Sequence, residues 1–535
     1  MSGRDVVIVG AGHNALVTGC YLARSGLNVE IVEQDAVVGG AVSTVERFPG
    51  VLMDRGSSAH IMIRHTGIVE DLDLAAHGLI YQDMDPWGFA PIRADDGTPD
   101  ALVFWVDIER TCESIAAVCG MADADAYRRF TRDWLPRNEV VFDFFQQSPT
   151  PAHLARAMAG LRKASRSGVA QMSREFLGSA DAVLDSYFHD ERLKTALAWM
   201  AAQSGPPSHE PATADLVGWL TMMHRIAPGH PVGGSGKLSE ALASCFASYG
   251  GTLRLGDGAA EISCRAGKVR SVTTTSGDQI QARQVVAGCH VQTTATLIEG
   301  TAPKVTAELR GNARTGNGLG MVVRAVTDTL PGYLADEAGI AHHAMTLLAD
   351  SRVELRRNYG EFLAGRAPTN PAALVMAPSG RDDTLAPAGR HTVTIWGQWH
   401  AYHLEGESWH DIADREAAKL VEVVERHAPG FADSVQDLWV QTPLEIEREL
   451  GLLRGNVMHL EMTLDQMFSL RPVPKYADYR ISDVDGLYIT GASTHPGGGV
   501  FGASGRSAAH AVLADRSSVL GRLLDWSNAT GLRHK

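Results

Sequence analysis

Two glycine-dense turns, one near each end of the chain, hold the residues whose type and spacing could do chemistry. In DVVIVGAGHNALVTGCYLARSG (5–26) the apolar, β-branched Val6 to Val9 suit a buried parallel strand. Gly10 and Gly12 then give a tight turn with no side chain between backbone and a diphosphate. Ala15 fills the third position of a G-x-G-x-x-A fingerprint, and Gly19 keeps the same helix face thin. His13, Asn14 and Ala15 open the helix whose amides and positive dipole end would hold the phosphates. Glu33 falls twenty-one residues after Gly12, at the end of a second strand (28–32), where ribose hydroxyls are recognised and a 2′-phosphate is disfavoured. An adenosine diphosphate half is expected, and NAD and FAD both remain open on this evidence.

The second turn narrows the choice. GLYITGASTHPGGGVFGASGR (486–506) reads as a strand, a glycine turn and the start of a helix (503–513). Gly491, Gly498, Gly499, Val500 and Gly502 would lie along a planar ring, in a turn too bare for packing, and the helix would aim positive potential at the ring's reducible edge. A flavin gains negative charge there on reduction. The doublet Gly39–Gly40, followed by Ala41, suits an ordinary turn when taken alone, but beside the C-terminal turn it reads as a second close approach of backbone to cofactor. Together the two ends point to FAD held between them.

Other chemistries fail on spacing. His400 and His403 lie three apart on an expected strand and so face opposite ways, and His342 and His343 are adjacent; neither pair suits a metal, and no metal is expected. Trp396 and Trp399 read as cavity or core aromatics. There is no G-x-S-x-G, H-E-x-x-H or Walker motif, and the six cysteines contain no C-x-x-C.

The elements that must position these turns make up a chain of 535 residues, enough for two or three domains. Apolar residues are 44% and charged residues 21%, ordinary for a globular protein, and a net charge of -14 disfavours nucleic acid. With no apolar leader ahead of the first strand, no run of about 18 apolar residues and scattered cysteines, a cytoplasmic location is expected. After residue 67 a strand region (80–108) gives way to helical periodicity (111–219). A helix and strand meander follow from His230, then aromatic-rich strand residues (393–402) and a helix (411–428). The expected fold class is α/β. A Rossmann-like FAD-binding domain (1–75, 229–300, 477–535) is interrupted by a discontinuous α+β substrate or cap domain (76–228, 301–476).

Five segments in order carry a family resemblance: the doublet stretch, FPGVLMDRGSSAHIMIRH, HPVGGSGKLSEAL, RGNVMHLEMTLDQMFSLRPVP and THPGGGVFGASGRSAAH. The set resembles the phytoene-desaturase-like branch of FAD oxidoreductases, with glutathione reductase and amine oxidase-like topology. The likeness is greatest to the pyridine nucleotide-disulfide oxidoreductase domain-containing protein 2 type. The resemblance implies backbone contacts from Ala260 and Glu261 to adenine, and it runs the segment Asp54 to His60 beside the flavin ring. His60 and Arg64 would then face substrate, or His60 would simply be a hydrogen-bonded helix-start residue. His459 and Asp465 are substrate-side candidates from the fourth segment, unless Asp465 caps a helix or forms a salt bridge, and His495 is a flavin-edge candidate from the fifth, or else satisfies a loop carbonyl.

The expected activity is hydride removal from an apolar or mixed small molecule to form C=C or C=N, with O2, a quinone or another acceptor taking the electrons. A redox-neutral flavin isomerase and a flavin-binding interaction protein with little turnover stand as alternatives. Amine oxidation is disfavoured by Ala41, where the amine-oxidase pattern usually carries arginine. Arg156, Arg162, Lys163, Arg166 and Arg174, interleaved with Leu154, Met158, Leu161 and Met172, read either as a solvated helix face or as a peripheral membrane contact. An oligomer is compatible with all of this.

Overall fold

The computed structural model describes residues 3–165, 169–299, 303–336 and 338–517. In it the opening strand Arg4–Val9 lies inside an eight-stranded sheet. Val6, Val7 and Ile8 are completely buried, as continuous apolar strands of a covered parallel sheet must be. Arg4–Val9 pairs in parallel with Val29–Val32 on one side and with Gln279–Ala287 on the other. Val29–Val32 pairs in turn with Thr252–Arg254. Strand Gln279–Ala287 changes partners along its length. Residues 279–281 close the antiparallel meander with Lys268–Thr274, and residues 285–287 run parallel to Leu487–Ile489. That exchange brings the C-terminal glycine segment onto the same sheet as the N-terminal one.

Helix His13–Arg24 covers this sheet and packs against Gly236–Ser248 and the terminal helix Ala503–Arg516. Small residues set the distance. A Cβ on Gly19 would lie 2.9 Å from the Ile31 side chain, so the thin face read from the sequence is used against the second strand and Phe246.

A second sheet of seven strands has the order Val435–Gln441, Gly320–Thr327, His391–Gln398, Ala373–Met376, Met345–Leu348, Gly88–Arg93 and Pro99–Phe104. All its pairings are antiparallel except Met345–Leu348 with Gly88–Arg93. Among the described residues, seven helices between Ile108 and Gly218 form a cap. They share an apolar core with this sheet that includes Phe130, Trp134, Leu197, Trp199, Leu374 and Trp399. The fold is therefore the expected mixed α/β class. One local expectation fails: the aromatic strand stops at Gln398, and Trp399 turns the chain with a φ of +62°. His400 and His403 are thus separated by burial and exposure rather than by strand alternation.

Among the described residues no helix is long and apolar enough to cross a membrane. The basic helix Pro151–Ala164 buries none of its residues and leaves Leu154 and Met158 exposed. Arg166 lies outside the described residues.

Candidate active site

The N-terminal turn is open where a ligand would need it open. Gly10 adopts a φ of +93° and backs onto Gly288, whose carbonyl carbon would be 3.5 Å from a Cβ. Gly12 caps helix His13–Arg24 without a side chain, and a Cβ there would meet nothing within 4 Å. The doublet folds across it: the Gly39 amide donates to the Ala11 carbonyl at 2.9 Å, and Gly39 bridges Gly12 in parallel register. A Cβ on Gly40 would touch only the Gly12 Cα, at 3.9 Å. Gly12 and Gly40 therefore present bare backbone beside a helix N-terminus, the physical requirement for an anion site.

Glu33 is held rather than free. Its two carboxylate oxygens accept from the Ala11 amide at 2.6 Å and the Asp35 amide at 2.8 Å. Each oxygen keeps a second acceptor site, so the carboxylate is pre-positioned without being saturated. Strand Ala259–Arg265 carries a register shift between Ala259 and Glu261, which leaves the backbone of Ala260 out of the ladder. Beside it, Glu261 faces Glu299, which raises its pKa.

The C-terminal turn docks onto the same place. Gly491, at a φ of +106°, sits with its Cβ position 3.3 Å from the Gly288 carbonyl oxygen and donates its amide to Ser504 Oγ at 2.9 Å. The expectation that the triple glycine is too bare for packing is wrong. A Cβ on Gly498 would lie 2.4 Å from Met458 Sδ, and one on Gly497 3.0 Å from Met462 Sδ. The turn is bare because the loop beneath fills the space a side chain would take. That loop is clamped by Arg471, a fully buried guanidinium with no carboxylate partner among the described residues. It donates to the carbonyls of Met458, Glu461, Gln466 and Ala492, at 2.7–3.1 Å. Burial holds its pKa down to about 9.

One cavity of about 380 Å³ meets both turns. His13, Ala41, Gly498, Gly499 and Val500 line one part of it, and apolar residues of the cap and second sheet, among them Phe142, Phe145, Trp396 and Met458, line the rest. His13 accepts a hydrogen bond at Nε2 from Asn14 Nδ2 at 3.0 Å, and burial holds its imidazole down to about 4.

Of the expected substrate-side groups, only His459 reaches this cavity. Its Nδ1 is 3.0 Å from Ser493 Oγ, its ring stacks on His290, and burial keeps its pKa well below the ordinary value. His60 does not arrive there. It is completely buried, with Nδ1 2.7 Å from the Tyr81 hydroxyl and Nε2 2.8 Å from Ser235 Oγ, so both nitrogens are spent on structure. Arg64 instead pairs with Asp83 at 2.6 Å and lies over Tyr81. His495 is buried behind the turn against Phe144, Phe145 and Phe468 while its neighbour Pro496 lines the cavity. Asp465 points outward to Arg314 at 2.7 Å and is 59% exposed.

Residues 8–72 match the family described as NAD(P)-binding Rossmann-like domain. Over 96% of its length the chain is 31% identical to the rat pyridine nucleotide-disulfide oxidoreductase domain-containing protein 2, covering 93% of that relative. The chain belongs to that family. It is 24% identical to a phytoene dehydrogenase of Streptomyces griseus, with 92% of each chain covered. Among solved structures, an oxidoreductase from Methanosarcina mazei superposes with a TM-score of 0.62 at 15% identity, covering 95% of this chain and 99% of that one. The resemblance read from five sequence segments therefore holds at the level of family and fold, and the chain is an oxidoreductase of the flavin type.

Several groups at the site carried no sequence signal. Gly288, at the end of Gln279–Ala287, backs both Gly10 and Gly491. Arg471 sits in a quoted segment, but nothing local announces a buried arginine. Asp215, Asn138 and Trp219 reach the cavity from cap helices that sequence reading treats only as periodic.

Proposed function

We propose that the protein is an FAD-dependent oxidoreductase that takes a hydride from an apolar or mixed small molecule, giving C=C or C=N, and passes the electrons to O2, a quinone or another acceptor. The observation that carries this reading is that His13 and Ala41, which follow the N-terminal glycines Gly12 and Gly40, line one largely apolar cavity together with Gly498, Gly499 and Val500 of the C-terminal turn. The residues fit the cofactor. A Cβ on Gly12 would meet nothing within 4 Å and one on Gly40 only the Gly12 Cα, and Asn14 Oδ1, two residues on, is buried without a partner among the described residues.

In this assignment the helix start at Gly12, His13, Asn14 and Ala15 holds the diphosphate. Glu33 accepts from the ribose hydroxyls, and the unladdered backbone at Ala260 and Glu261 meets adenine. Gly39, Gly40 and Ala41 flank the diphosphate, and Gly491, Gly498, Gly499, Val500 and Gly502 follow the ring toward the N-terminus of Ala503–Arg516. The cofactor domain comprises residues 1–75, 229–300 and 477–535, and the remainder forms the substrate and cap domain. Bound FAD supplies the hydride-accepting centre.

The chain supplies the surroundings. Phe142, Phe145, Trp396 and Met458 exclude water and bind an apolar body, and His459, its Nδ1 taken by Ser493, offers Nε2 as the polar group for a coupled proton. Its lowered pKa keeps that imidazole neutral at neutral pH and able to accept.

Anaerobic mixing of purified protein with a panel of apolar alkenes, alcohols and secondary amines tests the activity. Bleaching of the flavin band by at least one compound, and its return on adding O2 or a quinone, supports it. A flavin that no compound bleaches and that exchanges no electrons with acceptors contradicts it.

A further inference from the structure

The wall of the cavity built by the cap carries polar groups that the fold leaves unpaired. Asp215 and Trp219 are four residues apart on one helical run (214–224) and so share a face. Asn138 comes from helix Met121–Phe145 and packs against the intervening Gly218, where a Cβ would lie 2.9 Å from its Nδ2. All three line the cavity. Asn138 Nδ2 donates to the Trp134 carbonyl at 3.1 Å, an oxygen that can only accept, and this fixes Oδ1 as the atom left over. Asn138 Oδ1 and Trp219 Nε1 are buried without a partner, in residues 1% and 8% exposed. The Asp215 side chain makes no hydrogen bond among the described residues, while its backbone carbonyl accepts from the Trp219 amide. The arginine whose charge reaches it, Arg137, is ion-paired with Glu175 at 2.5 Å.

Buried polar atoms are nearly always satisfied, so two buried orphans on the wall of a cavity that the half-buried Asp215 carboxylate also lines call for a common ligand group. Their chemistry selects it. Asp215 and Asn138 Oδ1 need a donor, and Trp219 Nε1 needs an acceptor. A carboxylate would be repelled by Asp215, a carbonyl gives the two oxygens no proton, and an ammonium leaves the indole N–H unpaired. A hydroxyl donates its one proton to Asp215 or Asn138 Oδ1 and accepts from the indole N–H, so of these four groups it alone meets both kinds of partner.

We propose that Asp215, Asn138 and Trp219 form the recognition site for a hydroxyl group on an otherwise apolar substrate. The inference rests on the oxidoreductase reading above and gives that substrate a class: an apolar alcohol whose hydroxyl is anchored by the cap, with Asp215 as a positioning residue.

The test measures binding by tryptophan emission, which needs no flavin, in the protein as purified, with its flavin band recorded in parallel. The probes are 4-phenyl-1-butanol, butylbenzene, 4-phenylbutyrate and 4-phenylbutylammonium. The alcohol is expected to bind about tenfold or more tightly than any of the other three, the worth of roughly one well-made buried hydrogen bond. Asp215→Asn and Trp219→Phe, both nearly isosteric, are each expected to erase most of that preference while leaving butylbenzene affinity unchanged. Equal affinity for alcohol and butylbenzene, tighter binding of the ammonium, or a preference that survives both substitutions overturns the proposal. Alcohol preference in a protein that holds no flavin would sink the oxidoreductase reading and leave this site standing. A flavin bleached by substrates with no alcohol preference would do the reverse.

Discussion

A Cβ on Gly505 would lie 2.1 Å from the carbonyl oxygen of Asn14. The terminal helix thus crosses the opening helix at backbone contact, and Thr18 Oγ1 donates to the Gly505 carbonyl at 3.0 Å in the same crossing. This contact, between residues far apart in sequence, seats the C-terminal glycine turn over the N-terminal one.

Replacing Gly505 by valine therefore presses a side chain against backbone that has no room to yield. The expected cost is at least about 1–3 kcal/mol of stability, the usual penalty for overpacking. It is measured as a lower melting temperature accompanied by loss of bound flavin. An unchanged melting temperature would show that the helices can separate freely.

His60→Phe removes two hydrogen bonds and leaves the Tyr81 and Ser235 hydroxyls without their partner. We expect destabilisation of about 1–3 kcal/mol in denaturant melts. Turnover per bound flavin should stay within about threefold of wild type, because no general acid or base is lost. Full stability combined with a hundredfold loss of turnover would restore a catalytic role for His60.

His290, His400 and His495 are at most 2% exposed, and burial depresses the pKa of each to about 4. In the unfolded chain each takes a proton near the ordinary histidine value of about 6.5, so the unfolded state binds more protons across this window. Their contribution to stability is complete above pH about 6.5 and is lost as pH falls toward about 4, on the order of 1–3 kcal/mol per residue. Melting temperatures recorded across that window check it, and a curve flat from neutrality down to about pH 4 is the contrary result.

Asp215 carries the opposite sign. Desolvation raises its pKa to about 6, against the charge of Arg137, which lowers it, and with that of Glu175, which adds to the rise. The folded state holds this proton longer than the unfolded chain does, so stability falls as pH rises from the ordinary carboxylate range through about 6. Asp215→Asn should raise the melting temperature at about pH 7.5 and change it little near about pH 4. An equal shift at both pH values would tie the effect to packing instead.

The cofactor turns were legible because their signal is local. Gly10, Gly12 and Glu33 announce themselves by backbone freedom and spacing along one strand–turn–helix, and the fold keeps that geometry. The family likeness located the segment around His60 but not the direction of its side chains. Tyr81 and Ser235, which draw His60 away from the cavity, come from other parts of the chain. Asp215 was illegible for a similar reason. A lone aspartate in a helical run looks like a surface residue until Asn138 and Trp219 are placed beside it. Gly498 misled in the other direction, since a bare turn in sequence gives no sign of Met458 packed beneath it.

The central claim is that the two glycine turns hold one FAD, and extraction of the native protein tests it most directly. Gly12 has a φ of -63° and ψ of 157°, open to any residue, and a Cβ there would meet no protein atom within 4 Å. Gly12→Val should thus fold with stability within about 0.5 kcal/mol of the cofactor-free wild type yet block the diphosphate site. Chromatography of the denatured native protein is expected to release FAD at about one per chain, and of the variant almost none. Native protein that releases NAD, or no flavin at all, or a variant that keeps its full complement of FAD, would contradict the account.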